Sequence, residues 1–188
     1  MAITNYDPAE VRLAPDGRVL VAPVGTAEPV SVAATFDPAW AELGWVTEDG
    51  VTVTPSVDTN DVNMWQSITP VKRPLTGMGL EVSVPLGSFN RSTLGLYFLN
   101  SEWTTVGSNG RLEMPNAPVS QEVALAVEWE DDEGDLNRLI FPRATMTDRD
   151  ALNLVRADAI TLGLTFSTLA GPDGYSAVLL TNNPELAS

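Results

Sequence analysis

Three stretches of the chain alternate apolar residues with polar or small ones at a period of two: residues 80–86 (LEVSVPL), 123–130 (VALAVEWE) and 160–167 (ITLGLTFS). Successive side chains on a strand point to opposite faces, so each stretch predicts a strand with one face on a core. Apolar and β-branched runs at 51–54, 138–146 and 176–181 predict further strands, and shorter ones are expected at 18–22 and 30–34. Turn signals fall between them at Asp16-Gly17, Asp49-Gly50, Asn109-Gly110, Glu133-Gly134 and Asp173-Gly174. Helical spacing is scarce. Residues 90–99 place Leu94, Tyr97 and Phe98 at i, i+3 and i+4 behind the N-cap candidate Asn90, which predicts one helix of two to three turns. A second short helix is expected at 37–44, capped by Asp37, with Pro38 at its first position and Gly44 as its stop.

The stretch 101–120 has Gly107, Gly110, Pro115 and Pro118 with little periodicity and reads as a long loop. Residues 1–15 and 182–188 read as terminal arms. The whole of 1–188 is expected to be one domain, since domains commonly run to about 100–200 residues. The expected fold is therefore mainly β, a sandwich or barrel with one short helix packed on the sheet, plus the loop and the arms.

Composition removes whole classes of chemistry. The chain has no cysteine, which excludes disulfides, thiolate catalysis and Cys-type zinc sites, and no histidine, which excludes Ser-His-Asp and Cys-His nucleophile systems. An enzyme would have to use carboxylates, tyrosine or Lys72, and the sequence singles out no pair of them. The reading is of a protein that is not an enzyme and takes no cofactor or metal. Residues 130–135 (EDDEGD) lack the D-x-D-x-D-G spacing and the distal glutamate of a calcium loop and are expected to form a solvated hairpin tip. No apolar run approaches the roughly 20 residues of a membrane span, and the first residues, MAITNYDPAEVR, do not have the pattern of a secretory signal. The formal charge is −15, with nine arginines and one lysine spread along the chain, a balance that repels nucleic acid rather than gripping it.

The order of the motifs carries a resemblance. An LGW-x-TEDGV turn at 43–51 leads to a strand, an acidic segment with Asp58 and Asp61, the Trp65-Gln66 pair, a strand with Val71-Lys72-Arg73, the alternating strand 80–86 and the short helix. Further on, LIFPRATMTDRD at 139–150 precedes the strand ending near Phe166. From about Gly44 to Phe166 this succession resembles the major tail tube protein of long-tailed (siphovirus-type) bacteriophages. The resemblance implies a tail-tube-type β fold and self-assembly into hexameric rings that stack into a hollow tube. It implies an inner barrel built from strands of every subunit, with the helix outside it and loops and arms joining the rings. It also implies a place in the virion tail after assembly in the host cytoplasm. The implied partners are further copies of the chain, a tape-measure protein filling the lumen, and tail terminator and tail-tip proteins. DNA would leave through the lumen without specific binding, and no membrane is involved.

The residues can be read beside that resemblance. Six copies at −15 carry about −90 per ring, and charge on a narrow bore acts on passing phosphates within a Debye length of about 8 Å. Thr52, Thr54, Glu81 and Ser83 sit at polar positions of alternating strands and are candidates to face the lumen; a plain solvent face is the alternative for each. Asp58 and Asp61 before Trp65, with Lys72 and Arg73 after it, are candidates for a subunit interface in which an acidic edge meets a basic one. A core position for Trp65 is the alternative. A different function class also fits the composition: a β-sandwich binding module that stacks host-surface glycans on Trp40, Trp45, Trp65, Trp103 or Trp129.

Overall fold

The computed structural model describes residues 11–186 apart from 100, 102, 115, 118 and 119. Its elements are β1 (Asp16–Pro23), β2 (Ala41–Glu42), β3 (Thr52–Thr59), β4 (Leu75–Leu86), α1 (Arg91–Tyr97), β5 (Trp103–Val106), β6 (Asn109–Leu112), β7 (Glu122–Glu130), β8 (Leu136–Arg149), β9 (Leu162–Thr168) and β10 (Val178–Thr181). Eight of these strands form one antiparallel sheet in the order β2-β1-β7-β8-β9-β4-β3, with β10 paired to β8. The fold is mainly β with a single helix among the described residues, as the alternation requires.

One face of the sheet builds the main core. Val19 of β1, Leu125 of β7, Phe141 of β8, Leu164 and Phe166 of β9, and Val82 and Val84 of β4 all point to it and are fully buried. The alternating glutamate, serine and threonine positions of the same strands necessarily fall on the opposite face. β8 keeps its apolar residues on the core side by a bulge of one extra residue: Pro142 and Arg143 together oppose Ala124, between the pairs Ala144–Val123 and Phe141–Leu125. The proline thus sits where a ladder donor is not needed.

Helix α1 covers the core beside β9. Asn90 caps it by accepting from the Thr93 amide at 2.9 Å, and the Thr93 hydroxyl accepts from the Asn90 amide at 3.1 Å, a reciprocal capping box. Tyr97 donates its hydroxyl to the Asp150 carbonyl at 2.5 Å, which fixes the helix to the β8–β9 connection.

On the opposite face a smaller cluster of Leu20, Ala22, Ala124, Ala126 and Ile140 is covered by Trp40 and Phe36 from the segment between β1 and β2. That segment is where two expectations fail. Residues 30–34 are not a strand, because their carbonyls are taken by a side chain: Arg138 donates to the Ser31 and Ala34 carbonyls at 2.9 and 2.6 Å. Residues 37–44 are not a helix. Asp37 does cap a turn, accepting from the Ala39 amide at 2.8 Å, but Trp40 turns into the small cluster and Ala41 and Glu42 pair with Val21 and Leu20 of β1. Burying the indole and gaining ladder bonds outcompetes a second helical turn.

Two turn expectations also change. Asp16 and Gly17 open β1, paired with Glu130 and Trp129, so this glycine serves close strand approach rather than a turn. Within 101–120, β5 and β6 form a hairpin that turns at Gly107, whose φ is +65°, while Asn109-Gly110 lies in the strand. Described parts of the expected arms are anchored. Arg12 pairs with Glu133 at 2.9 Å, and the Asn182 side chain accepts from the Leu136 amide at 2.7 Å. Residues 1–10, 187 and 188 lie outside the described set.

Candidate functional site: projecting hairpin and polar face

The β3–β4 hairpin is longer than the sheet that holds it. β9 pairs with β4 only from Glu81 to Leu86, whereas β3 pairs with it from Leu75 to Ser83. Residues 55–80 therefore run past the sheet as a two-stranded ribbon. Beyond a bulge at Asp58/Thr59 the ribbon is held by a bridge between Val62 and Lys72 and by backbone bonds in both directions at 2.9 Å. Arg73 donates two bonds to Asp61, at 2.5 and 3.0 Å, and this pairing raises the arginine pKa. So one acid and one base of the candidate interface are satisfied within the hairpin, while Asp58 and Lys72 stay exposed and form no ion pair among the described residues.

The ribbon exposes apolar side chains that a lone domain would bury. Val57, Met64, Ile68, Val71, Leu75 and Met78 are all more than half exposed, and Trp65 is 99% exposed. A core position for Trp65 within its own chain is thereby excluded. An aromatic of this size presents about 150–250 Å². Their concentration on one projecting element sets the ribbon apart from the rest of the surface, where apolar side chains are normally scattered singly. Among the described residues the outer edge of β3 is also unpaired. Pro55 lies on it opposite Leu80, whose amide points the other way, to the Thr168 hydroxyl at 3.0 Å. The missing proline donor therefore faces the free edge, which restrains indiscriminate strand pairing there.

The four lumen candidates come together. Thr52 pairs directly with Ser83, and Thr54 with Glu81, all on the face opposite Val82 and Val84. The register extends both rows across the sheet. Glu81 faces Ser167, Ser167 faces Thr145, and Thr145 faces Glu122. Ser83 faces Thr165, which faces Asp148. Two continuous polar rows cross β3, β4, β9 and β8, and one reaches β7. Beyond β3–β4, Thr165 and Ser167 occupy the polar phase of the alternation at 160–167, while Thr145 and Asp148 join the rows only through the register. Arg143 lies at the β7 end and binds Glu122 through two bonds at 2.8 and 3.0 Å, holding the glutamate below its ordinary pKa.

A third feature is a groove of about 1160 Å³ between the β1–β7–β8 end of the sheet and residues 44–53. Val53, Trp129, Leu139 and the exposed Trp45 are among its apolar lining residues, and Glu42, Glu48 and Glu130 line it too. The EDDEGD segment is a hairpin tip between β7 and β8, but Asp131 is turned inward, accepting from the Glu133 and Asp135 amides at 3.1 and 2.8 Å. It anchors Arg12 and shows no metal-holding arrangement; no group of three or more acidic, cysteine or histidine side chains able to hold a metal occurs among the described residues. Of the five tryptophans only Trp45 and Trp129 share a site, this groove; Trp40 is buried, Trp103 is half-buried on β5 and Trp65 lies on the hairpin tip.

No curated protein sequence matches the chain. Among solved structures it is similar to a chain of the PVC sheath-tube complex, an extracellular contractile injection system in its extended state, at 12% identity and a TM-score of 0.41 over 86% of this chain and 87% of that one. A chain of the 6-fold symmetrised anti-feeding prophage baseplate gives 9% identity and a TM-score of 0.45 over 89% and 94%. The family model described as phage tail tube protein matches residues 4–187. The chain belongs to the phage tail tube protein family: it is a structural component of the virion tail and not an enzyme.

Proposed function

We propose that the chain closes into hexameric rings that stack into the tail tube, and that its two polar rows face the bore. The observation that carries this is the β3–β4 hairpin, a ribbon with an unpaired outer edge and an apolar tip that its own domain leaves in water. A ring or stack removes both liabilities at once, since a neighbouring copy supplies the missing cover. Asp58, Asp61, Trp65, Lys72 and Arg73 then belong to contacts between subunits, with the Asp61–Arg73 pair stiffening the element that makes them. Thr52, Thr54, Glu81 and Ser83, extended by Thr165, Ser167, Thr145, Asp148 and Glu122, present hydroxyls and carboxylates to the lumen. Hydroxyls hydrogen-bond water and leave few cations for phosphate, and the acidic members repel DNA at short range, so the polymer slides instead of sticking.

In this reading a tape-measure protein occupies the bore before DNA is released, terminator and tip proteins close the two ends, and assembly takes place in the host cytoplasm. Electron microscopy of the concentrated purified chain tests it. Rings or tubes of constant diameter with sixfold class averages are expected. A monodisperse monomer at every concentration and salt condition tried would refute it.

A further inference from the structure

The hairpin tip and the apolar groove are complementary, and they cannot meet within one chain. Val53 lies in the groove, and the ribbon runs away from it as an antiparallel ladder to Thr59, with one bulge at Asp58/Thr59, and then to the separate bridge at Val62. At about 3.3 Å per residue the bridge stands roughly 30 Å from the groove, so folding the tip back would break the ladder. We infer that the groove of one copy receives the Met64-Trp65-Ile68 tip of another, a knob-and-socket contact that sets the separation between neighbouring subunits. This rests on the self-assembly reading above and names the two surfaces that carry it.

Size and charge support the match. The groove, at about 1160 Å³, has room for an indole and two aliphatic side chains, and its lining of Trp45, Val53, Trp129 and Leu139 offers aromatic and branched contacts. The acids Glu42, Glu48 and Glu130 line the same groove, and the tip carries Lys72, the chain's only lysine, without an ion pair of its own. A cation set beside an aromatic anchor fixes orientation as well as affinity. The other arginine near the groove, Arg18, is engaged by Glu128 at 2.7 Å, so it leaves the acids available.

The absence of cysteine makes the test clean. Glu48→Cys places a thiol on the groove and Ile68→Cys one on the tip, both at exposed positions. Mixed under oxidising conditions and assembled, the two variants are expected to give a disulfide-linked dimer in at least about tenfold excess over either variant alone. Trp65→Ala is expected to keep the monomer's Tm while raising the concentration needed for assembly about 30-fold, as for truncation of a central interface tryptophan. Lys72→Glu is expected to weaken assembly in the same assay, and Glu48→Lys in the same chain to restore part of it. Tubes that form without the mixed cross-link, or Trp65→Ala tubes that form as readily as wild type, would overturn this contact and leave the tube reading standing. Absence of both tubes and cross-link would overturn the two together. A Glu48→Cys thiol that instead closes onto a Tyr6→Cys thiol of its own chain would show the groove filled by the N-terminal segment, and would also overturn the inference.

Discussion

Arg138 offers the sharpest energetic test of how the second face of the sheet is held. Its side chain is 6% exposed and that of its partner Glu128 is 9% exposed, on adjacent β8 and β7. Arg138 donates to the Glu128 carboxylate, to the Ser31 and Ala34 carbonyls, and lies 4.6 Å from the Phe36 ring centroid. It thus straps the segment carrying Phe36 and Trp40 over the small cluster. Breaking a buried pair by removing one partner costs about 3–5 kcal/mol. Arg18 still neutralises Glu128 at 2.7 Å, which places Arg138→Met near the lower bound, about 3 kcal/mol. In a domain of this length each kcal/mol moves Tm by about 2–4 °C, so a fall of about 6–12 °C is expected. Urea unfolding followed by tryptophan fluorescence should show the lower midpoint with an unchanged slope. Glu128→Gln should also destabilise, and the double variant should cost less than the sum of the two by about 1 kcal/mol or more, since the two side chains act together. A loss under 1 kcal/mol for Arg138→Met, or strict additivity, would refute the strap.

Asn90→Ala removes the capping side chain of α1 and is expected to cost about 1 kcal/mol, read as a Tm drop of about 2–4 °C, with Asn90→Ser restoring most of it. Gly44 has φ +88° and its missing Cβ would strike Ser88, whose hydroxyl oxygen accepts from the Trp45 amide at 2.7 Å; Gly44→Ala is therefore expected to destabilise by at least about 1 kcal/mol in thermal unfolding. Glu122 is held below its ordinary value of 4.5 by hydrogen bonds from Arg143. A depressed carboxylate contributes stability above its unfolded pKa and loses it as pH falls through the folded one. Carboxyl NMR titration should place the Glu122 midpoint below that of an unpaired glutamate, and Arg143→Ala should return it upward.

Much of this fold is readable because burial on one sheet face writes itself as a period of two. The strands around Val82, Leu125 and Phe166 follow from that alone, and Asn90 with Thr93 at three residues' spacing marks the helix start. Residues 30–44 misled because local signals lost to distant ones: Asp37 and Pro38 are good helix openers, but the partner that decides the segment is Arg138, about a hundred residues on. The β5–β6 hairpin was hidden by a turn at Gly107-Ser108 when Asn109-Gly110 offered the more familiar signal. At the candidate site, the sequence singled out Trp65 and the charges around it but could not say that Arg73 folds back on Asp61. That requires the register of the hairpin. Thr52, Thr54, Glu81 and Ser83 are separate positions in the sequence that register joins into two rows, and the same pairing recruits Thr145, Thr165 and Ser167. The groove at Trp45 and Trp129 has no sequence signal, since its lining comes from segments far apart along the chain.

The most direct measurement of the central claim is a cryo-EM reconstruction of the assembled tube at side-chain detail. The Thr52-Ser83-Thr165 and Thr54-Glu81-Ser167-Thr145 rows are expected on the wall of the bore, with Trp65 buried against a neighbouring copy. A bore lined by arginines, or a tube in which both rows face the outside and Trp65 stays in solvent, would contradict it.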